Sequence, residues 1–306
     1  MQEASSLQHE IRSWRAIYFN AASIPFWAIH LAAMAGVALS GWSWRGFLLA
    51  IGMYYLRMFF LTAGYHRYFS HRTYKTSRAF QLILAVMGQT CAQMGALWWA
   101  SNHRAHHKYS DKPGDLHSPV LRGFWWAHMG WFLAGDDNET DFSRITDFAK
   151  YPELVWLNQR SVGLLPPTIM AIVCGMIGGF HGLLWGFFVS TVLLWHGTFT
   201  INSLAHIIGR RRYDTTDDSR NHWALAVITM GEGWDNNHHY HQSSTAQGFF
   251  WWELDPSYYI LRGLAALGIV WDLRKPPPAA LTAPFQGKVV AKPTEPAASD
   301  PSPART

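Results

Sequence analysis

Three histidines within five residues, His103, His106 and His107, form the part of the sequence best suited to chemistry. On a helix, His103 shares a face with both of the others, because residues three and four positions apart are neighbours. As buried side chains they would need a hydrogen-bond partner at every ring nitrogen, whereas a transition metal uses those nitrogens directly as ligands. The spacing therefore favours a metal site over a solvated helix end.

Further candidate ligands lie at the edges of long apolar runs elsewhere in the chain. They are His66, His71, His206, His238 and His239, with Asn202 and Asp235 nearby. Eight histidines are too many for one ion, since a zinc site usually has four ligands, so we expect two ions. Among the redox metals, iron fits this imidazole-rich set best. A shell with few anionic ligands leaves such ions electron-poor, which suits attack on unactivated C–H bonds.

Other metal signatures are absent from the sequence. There is no HExxH motif, no pair of Glu-x-x-His motifs and no C-x-x-C-H heme-attachment motif. The two cysteines, Cys91 and Cys174, both lie inside apolar runs. This excludes a disulfide framework, a cysteine-ligated zinc site and an iron–sulfur cluster.

The composition indicates a membrane protein. Charged residues make up 15% of the chain and aromatic residues another 15%, including 17 tryptophans. The apolar residues are gathered in blocks long enough to cross a bilayer, which takes about 20 residues. The net charge of +5 suits an anionic membrane surface or an anionic ligand. The basic residues flank hydrophobic segments and form no separate domain, so we expect no nucleic-acid partner.

We predict an all-α membrane protein with four transmembrane helices, at about residues 16–40, 46–65, 163–179 and 182–204. A further apolar stretch, about 79–100, is expected to form an interfacial helix. A full crossing there would place a bilayer between one group of histidines and the next. The remaining divisions are an N-terminal cytosolic segment (1–15), the membrane domain (16–275) and a disordered Pro/Ala-rich tail (276–306).

The basic residues predict the orientation. Under the four-span model, Arg12 and Arg15, the basic run after His66, and Arg210–Arg212 all fall on one side of the membrane. By the positive-inside rule that side is cytoplasmic, so the histidines face the cytoplasm of an integral membrane protein. One charge, Arg57, lies inside the second span. It is either a functional group or a charge paired with a polar neighbour.

Four stretches carry a resemblance to a known family: Thr62–Arg72, Trp99–Asp111, Asn202–His206 and Gly231–His239. In their order, spacing and flanking residues, the chain resembles the integral-membrane delta-9 fatty acyl desaturases of the stearoyl-CoA type, in particular bacterial members. The resemblance implies four transmembrane helices, a cytosolic helical cap holding a di-iron site, and a kinked acyl tunnel. It also implies oxygen-dependent insertion of a cis double bond into an acyl chain, with acyl-CoA the expected carrier. Electrons would come from an external ferredoxin- or cytochrome-type donor with its NAD(P)H reductase.

The resemblance also implies roles for individual residues. The eight histidines named above are the expected iron ligands, and Asn202 is expected to bind one ion through water. Asp235 occupies a position where the animal enzymes carry a further histidine ligand, so we expect its carboxylate to bind iron. Tyr54 and Met58 are expected at the closed end of the tunnel, where the bulk of Met58 favours palmitoyl over stearoyl chains.

Basic side chains near the histidines allow two interpretations. Arg67, Arg104 and Lys108 are either solvated or bind a phosphate-bearing headgroup such as that of coenzyme A. Histidines outside the motifs are expected to make packing, polar or supporting contacts; they include His30, His117, His128 and His196.

Three functions remain open on the sequence. The leading one is an acyl desaturase, an oxidoreductase. The second keeps the two irons but makes the protein a membrane hydroxylase of alkanes or lipids, because oxygen rebound after hydrogen abstraction gives an alcohol instead of an alkene. The third is a non-enzymatic metal or lipid carrier, which explains the spans but not the convergence of every histidine group on one side.

Overall fold

The computed structural model describes residues 13–135 and 139–282. Arg12, most of the predicted N-terminal segment and most of the predicted tail lie outside these residues. The regular structure of the described part is mostly helical, as predicted. It also contains one short antiparallel pair of strands, β1 (Lys75–Thr76) and β2 (Val270–Trp271), which the sequence did not predict.

The helices follow one another along the chain in three groups. The first group is α1 (Trp14–Tyr18), α2 (Ile24–Ser40), α3 (Trp44–Phe59), α4 (Arg78–Gln89) and α5 (Ala96–Tyr109). The second is α6 (Pro119–Arg122), α7 (Trp131–Leu133), α8 (Thr146–Ala149), α9 (Pro152–Leu157) and α10 (Arg160–Gly163). The third is α11 (Leu165–His181), α12 (Ser190–Ser203), α13 (Trp223–Ile228), α14 (Asp235–Tyr240), α15 (Pro256–Ala266) and α16 (Pro278–Thr282). Between them lie π-helices at Phe60–Ser70, Trp126–Gly130 and Gly182–Val189, and 3₁₀ turns at Ala21–Ser23, Phe142–Ile145 and Leu204–His206.

Three helical segments of the described chain are apolar and long enough to cross a bilayer. They are Ala21–Ser40, Trp44–Ser70 and Arg160–His206, with 20, 27 and 47 residues. We call them the first, second and third membrane segments. The first starts later than the predicted residue 16. The second extends past the predicted residue 65, because α3 continues directly into the π-helix Phe60–Ser70.

The third membrane segment reverses its direction. As one straight helix, 47 residues would measure about 70 Å, more than twice the hydrocarbon thickness of a bilayer. The backbone of Gly179 is non-helical, with φ 57° and ψ −147°. Beyond it, Gly182 and Gly186 lie against Cys174 of the preceding helix. The two halves therefore pack side by side, joined between the predicted third and fourth spans.

The main hydrophobic core lies where the second membrane segment meets α4 and α5. Tyr65 and Phe69 of this segment, Leu84 of α4 and Leu97 of α5 are all fully buried. Fully burying an aliphatic or aromatic side chain contributes about 1.5–3 kcal/mol. This packing holds α5, the helix with three of the predicted ligands, against the segment that carries His66.

The interfacial helix predicted over residues 79–100 is in fact two helices, α4 of 12 residues and α5 of 14 residues. Ala92 and Met94 in the connection have φ angles of 53° and 67°, which a right-handed helix does not accommodate. Neither helix has the roughly 20 residues that a crossing needs.

The start of the predicted disordered tail is also ordered, since Tyr213 Oη donates to the Ala280 carbonyl of α16 at 2.7 Å.

Arg57 is a buried charge with neutral partners. Its guanidinium donates to Ser190 Oγ at 2.6 Å, to Thr191 Oγ1 at 2.9 Å and to the Thr90 carbonyl at 3.2 Å. These hydrogen bonds join α3 to α12. The structure therefore supports the interpretation of Arg57 as a charge paired with polar neighbours.

Candidate metal centre

His66 and His71 come together because the second membrane segment changes from an α-helix to a π-helix. The His71 N–H donates to the His66 carbonyl, five residues earlier. On an α-helix, side chains five positions apart point about 140° away from each other. The wider π turn brings them to the same side, and the two ring centroids are 4.9 Å apart.

The other candidate ligands come from three separate elements. α5 carries His103, His106 and His107; the 3₁₀ turn after α12 carries His206; and α14 carries His238 and His239.

Five imidazoles form what we call the first cluster: His66, His71, His103, His107 and His238. Their ligand atoms all lie within 4.8 Å of one another. The Nε2 atoms follow one another in a chain, at 3.0 Å from His66 to His238 and from His238 to His107. The chain continues at 2.9 Å from His107 to His103 and from His103 to His71.

A metal ion explains these contacts better than hydrogen bonds do. A neutral imidazole has one N–H group, so a protonated Nε2 donates a hydrogen bond to only one neighbouring ring. Even if donor and acceptor rings alternate along the series of five, hydrogen bonds satisfy only some of the Nε2–Nε2 contacts. With metal–nitrogen bonds of about 2.1 Å, adjacent ligands of an octahedral shell lie about 3.0 Å apart, against about 3.4 Å in a tetrahedral shell. The observed spacing therefore fits nitrogens that share one ion of high coordination number.

Three further imidazoles, His106, His206 and His239, form the second cluster, again with all ligand atoms within 4.8 Å. The carboxylate of Asp235 lies 3.2 Å from His206 Nε2 and 3.6 Å from His239 Nε2. Its Oδ2 is buried beside His206 Nε2 and, when that nitrogen carries no proton, accepts no hydrogen bond from the described residues. A buried carboxylate oxygen without a donor is costly unless a cation lies beside it. The second cluster with Asp235 therefore also fits a metal ion.

Each imidazole of the second cluster donates its Nδ1–H to a carboxylate. His106 pairs with Asp115 at 2.9 Å, His206 with Asp111 at 2.7 Å and His239 with Asp217 at 2.8 Å. The Nε2 lone pair is thereby left free to face the cluster, the arrangement that orients imidazole ligands in metalloproteins. In the first cluster, His66 Nδ1 pairs in the same way with Glu232.

Electrostatics support ionised supporting carboxylates and neutral imidazoles in most of the first cluster. Burial alone would raise the pKa of the carboxyl groups, but the imidazoles and hydrogen bonds outweigh it, lowering the pKa of Asp111 to about 2. The pKa values of Asp115 and Asp217 are lowered in the same way, so all three are ionised at neutral pH. Burial and the neighbouring imidazoles lower the pKa of four first-cluster residues and keep them neutral, as metal ligands must be; they are His71, His103, His107 and His238.

Comparison with known proteins identifies the family. The model of the fatty acid desaturase family matches residues 40–272 of this chain. The chain belongs to this family. The resemblance inferred from the histidine motifs is thereby confirmed, and the protein is an oxidoreductase of lipid metabolism.

Three relatives show how varied the substrates of similar desaturases are. The chain is 39% identical to hex-5-enoyl-acyl-carrier protein acetylenase of Moorena producens, over 74% of this chain and 76% of the relative. It is 32% identical to the sn-1 stearoyl-lipid 9-desaturase of Synechocystis sp., over 88% and 82%. It is 34% identical to the acyl-CoA 5-desaturase AL21 of Anemone leveillei, over 76% and 73%. The names of the three relatives specify three different acyl carriers.

A cavity of this desaturase is lined by two histidines of the first cluster, His66 and His103, and by Asp235 beside the second cluster. Met58, Leu61 and Ile201 form part of its apolar wall. Asn202 and Thr229 also line it, so Asn202 lies where a water-mediated contact to a metal is feasible. Tyr54 is not among the lining residues; its hydroxyl donates to the Ile228 carbonyl at 2.7 Å. Of the two predicted tunnel residues, only Met58 faces this cavity.

The structure engages Arg67 and Arg104, two of the cations for which a headgroup role was one of two interpretations, in internal hydrogen bonds. Arg67 is fully buried, and its guanidinium donates to Glu232, Asp255 and the Thr245 carbonyl. Arg104 donates all five of its N–H groups to Asp147 and to three carbonyls of the chain. Neither guanidinium has an N–H group left for a phosphate.

Lys108 is the predicted headgroup cation that remains exposed to solvent. It lines a surface cavity of about 400 Å³ together with Arg104, His71 and His107. Among the described residues it has no carboxylate partner, and its ammonium lies 5.1 Å from the centre of the Tyr109 ring.

The histidines outside the motifs make polar and packing contacts, as expected. His196 bridges two others, with Nε2 3.0 Å from His30 Nε2 and Nδ1 2.9 Å from His128 Nε2. His117 stacks on the candidate ligand His106, with ring centroids 4.3 Å apart.

The carboxylates that hold the imidazoles were largely missed by sequence reasoning. Asp111 ends the stretch Trp99–Asp111 and Asp115 follows it closely; this position in the sequence was their only signal. Glu232 lies inside the last motif, whereas Asp217 lies in a polar loop with no recognisable pattern.

Proposed function

We propose that this protein is an oxygen-dependent desaturase that inserts a cis double bond into a saturated acyl chain at a two-iron centre. The observation that carries the proposal is the pair of adjoining imidazole clusters beside an apolar cavity. Rings of the two clusters approach to 4.4 Å, between His107 and His239. The double bond is proposed at position 9, in line with the activity for which the Synechocystis relative is named.

In this proposal each cluster holds one iron. The five first-cluster histidines hold one ion, and the second cluster with Asp235 holds the other, with Asn202 contributing through water. When bound, the irons supply the oxygen activation that breaks unactivated C–H bonds. The chain itself orients the imidazoles through Asp111, Asp115, Asp217 and Glu232, and its apolar cavity excludes water and aligns the methylene groups.

The reaction needs an external electron source. Converting one saturated C–C bond to an alkene while reducing O₂ to two waters consumes two further electrons and two protons. The two cysteines are too few to hold an iron–sulfur cluster. We therefore propose a separate ferredoxin- or cytochrome-type donor, reduced by an NAD(P)H reductase, that approaches from the cytoplasm.

The membrane arrangement is part of the proposal. The third membrane segment, with its reversal at Gly179, supplies two of four transmembrane helices, and the first and second segments supply the others. The histidine-bearing elements then form a cap on the cytoplasmic side, as the positive-inside rule predicts.

The internal hydrogen bonds of Arg67 and Arg104 bear on which acyl carrier is proposed. Coenzyme A presents several phosphates, and two of the three cations expected to bind them have no free N–H group. We therefore propose a glycerolipid of the bilayer as the carrier, in place of the acyl-CoA expected from the sequence. Purified enzyme with a reducing system should desaturate stearoyl chains of phospholipid vesicles faster than stearoyl-CoA; the opposite order would restore the acyl-CoA proposal.

Product analysis tests the reaction itself. The protein is expressed in a host lacking its own desaturase, beside a His103→Ala/His107→Ala control, and total acyl chains are examined by gas chromatography with mass spectrometry. We expect cis-9 monounsaturated chains with the wild type alone. Hydroxylated chains would indicate the hydroxylase, and unchanged saturated lipids with iron-loaded protein would indicate a carrier.

A further inference from the structure

The tryptophans that are exposed outside the three membrane segments include one on α13 and two shortly before α15. Trp223 exposes 68% of its surface, Trp251 87% and Trp252 56%. Tyr259 and Ile260, on the helix that follows the last two, are also exposed. Exposed aromatic and apolar side chains in such numbers mark a surface that contacts another phase or molecule.

These residues belong to two stretches that adjoin in the fold. The turn after α13 meets the start of α15, where the Ser257 N–H donates to the Met230 carbonyl at 3.2 Å. Next to this contact, the indole N–H of Trp234 donates to the Leu254 carbonyl at 2.9 Å. We call residues 223–228 and 251–260 together the tryptophan surface.

The acidic side chains of this region point inward. Glu253 and Asp255 expose 5% and 1% of their surface, and Asp255 is paired with Arg67. The exposed charge that follows the tryptophan surface on α15 is a cation, Arg262. Tryptophan and tyrosine beside a basic residue, without exposed carboxylates, are typical of the membrane–water interface.

Two hydrogen bonds join the tryptophan surface to the second membrane segment. Tyr54 Oη donates to the Ile228 carbonyl at the end of α13, at 2.7 Å. Thr62 Oγ1 and Ser257 Oγ are 2.6 Å apart. The surface is therefore continuous with a helix long enough to span the bilayer.

We propose that the tryptophan surface lies in the interfacial layer of the bilayer and contacts lipid headgroups. It forms a membrane contact of the catalytic part of the chain, in addition to the spanning helices. Thr229, directly after α13, lines the cavity beside the clusters. The contact thus keeps this wall of the cavity at the level of the membrane surface.

Site-specific labelling tests the proposal. A Cys174→Ala background retains the buried Cys91. Trp251→Cys is labelled with an environment-sensitive fluorophore, and the full chain is placed in nanodiscs of phosphatidylcholine and phosphatidylglycerol. The matched control is Asp214→Cys, whose native side chain is 69% exposed in a loop of charged residues. Unmutated background protein corrects for any labelling of Cys91.

We expect the label at position 251 to be quenched by a lipid spin-labelled near its headgroup at least about threefold more strongly than the label at position 214. Iodide in the aqueous phase should quench the label at position 214 more strongly than the label at position 251. Equal quenching of both labels by iodide, with none by the spin-labelled lipid, would overturn the proposal. Protection from both quenchers that appears only with two copies per nanodisc would assign the surface to a protein dimer and also overturn it.

Discussion

Asp217 fixes the orientation of His239 through a single hydrogen bond to Nδ1, 2.8 Å long. Asp217→Asn keeps the size of the side chain but removes its charge, and the amide can present either oxygen or nitrogen to the imidazole. Loss of such a supporting partner typically costs about 10–100-fold in metal affinity or activity. We expect a loss of this size in a competition titration of iron against a chelator. Asp214→Asn, at an exposed position, should leave the affinity unchanged; equal affinities for the two variants would contradict the assigned role.

Asp235 is expected to bind the second ion directly, because its Oδ2 is buried and has no donor when His206 Nε2 carries no proton. Asp235→Ala removes a ligand and should cost at least about 10–100-fold in turnover, the range known for supporting residues alone. Asp235→His should keep much of the activity, since imidazole also binds iron. A nearly silent Asp235→Asn would indicate that the residue only shapes the turn. Measuring iron content and turnover of the three variants distinguishes these roles. Wild-type iron content and turnover in Asp235→Ala would refute direct binding.

At the level of single residues, the sequence revealed ligands more readily than the groups that support them. Five of the eight histidines lie within two short motifs, and that density is unusual enough to be noticed. Glu232 lies 166 residues from His66, and Asp217 lies 22 residues from His239. Such pairs form only through the fold, so no local spacing indicates them.

Met58 tests how the second membrane segment shapes the cavity. It is 1% exposed, lines the cavity and has its Sδ 4.0 Å from Thr198 Oγ1 of α12. Met58→Ala should deepen the cavity and shift the preference from palmitoyl towards stearoyl chains. Differences of one methylene in an apolar pocket are worth about 10–200-fold in specificity, so we expect at least the lower value in competition assays. Met176→Ala, at a position 80% exposed in the third segment, should not change the preference among chain lengths. If Met58→Ala leaves this preference unchanged as well, Met58 does not determine chain length.

The reversal in the third membrane segment depends on Gly182. A Cβ at this position would lie 2.2 Å from the carbonyl oxygen of Cys174, and backbone cannot yield as a side chain does. We expect Gly182→Ala to destabilise the protein by about 1–3 kcal/mol, seen as a lower thermal midpoint in detergent. Gly178→Ala, where nothing lies within 4 Å of the added Cβ, is the control. Matching midpoints would show that the halves of the segment do not pack as described.

At the level of elements, hydropathy predicted where apolar helices lie but not how they are wound or broken. The π-helix that brings His71 beneath His66 has no signal in composition or spacing. The break between α4 and α5 was also missed, because residues 90–95 are as uncharged as the rest of the predicted stretch 79–100. Both features concern the winding of the backbone, which a hydropathy pattern does not contain.

For the molecule as a whole, composition predicted the membrane class and motif order predicted the family, which comparison confirmed. The availability of the cations was not predictable, since Arg67 and Arg104 look like surface charges in the sequence. The fold buries Arg67 between Glu232 and Asp255, and it surrounds Arg104 with Asp147 and carbonyl groups. Charge counts alone therefore did not show that these two cations are engaged inside the fold.

The central claim is that residues from four distant parts of the chain build two separate metal sites. The most direct test is the iron content per chain after anaerobic reconstitution, measured by elemental analysis. We expect two irons in the wild type and one in each of two double variants, His71→Ala/His238→Ala and His106→Ala/His239→Ala. A single iron in fully reconstituted wild type, or two irons retained in either variant, would contradict the two-cluster centre.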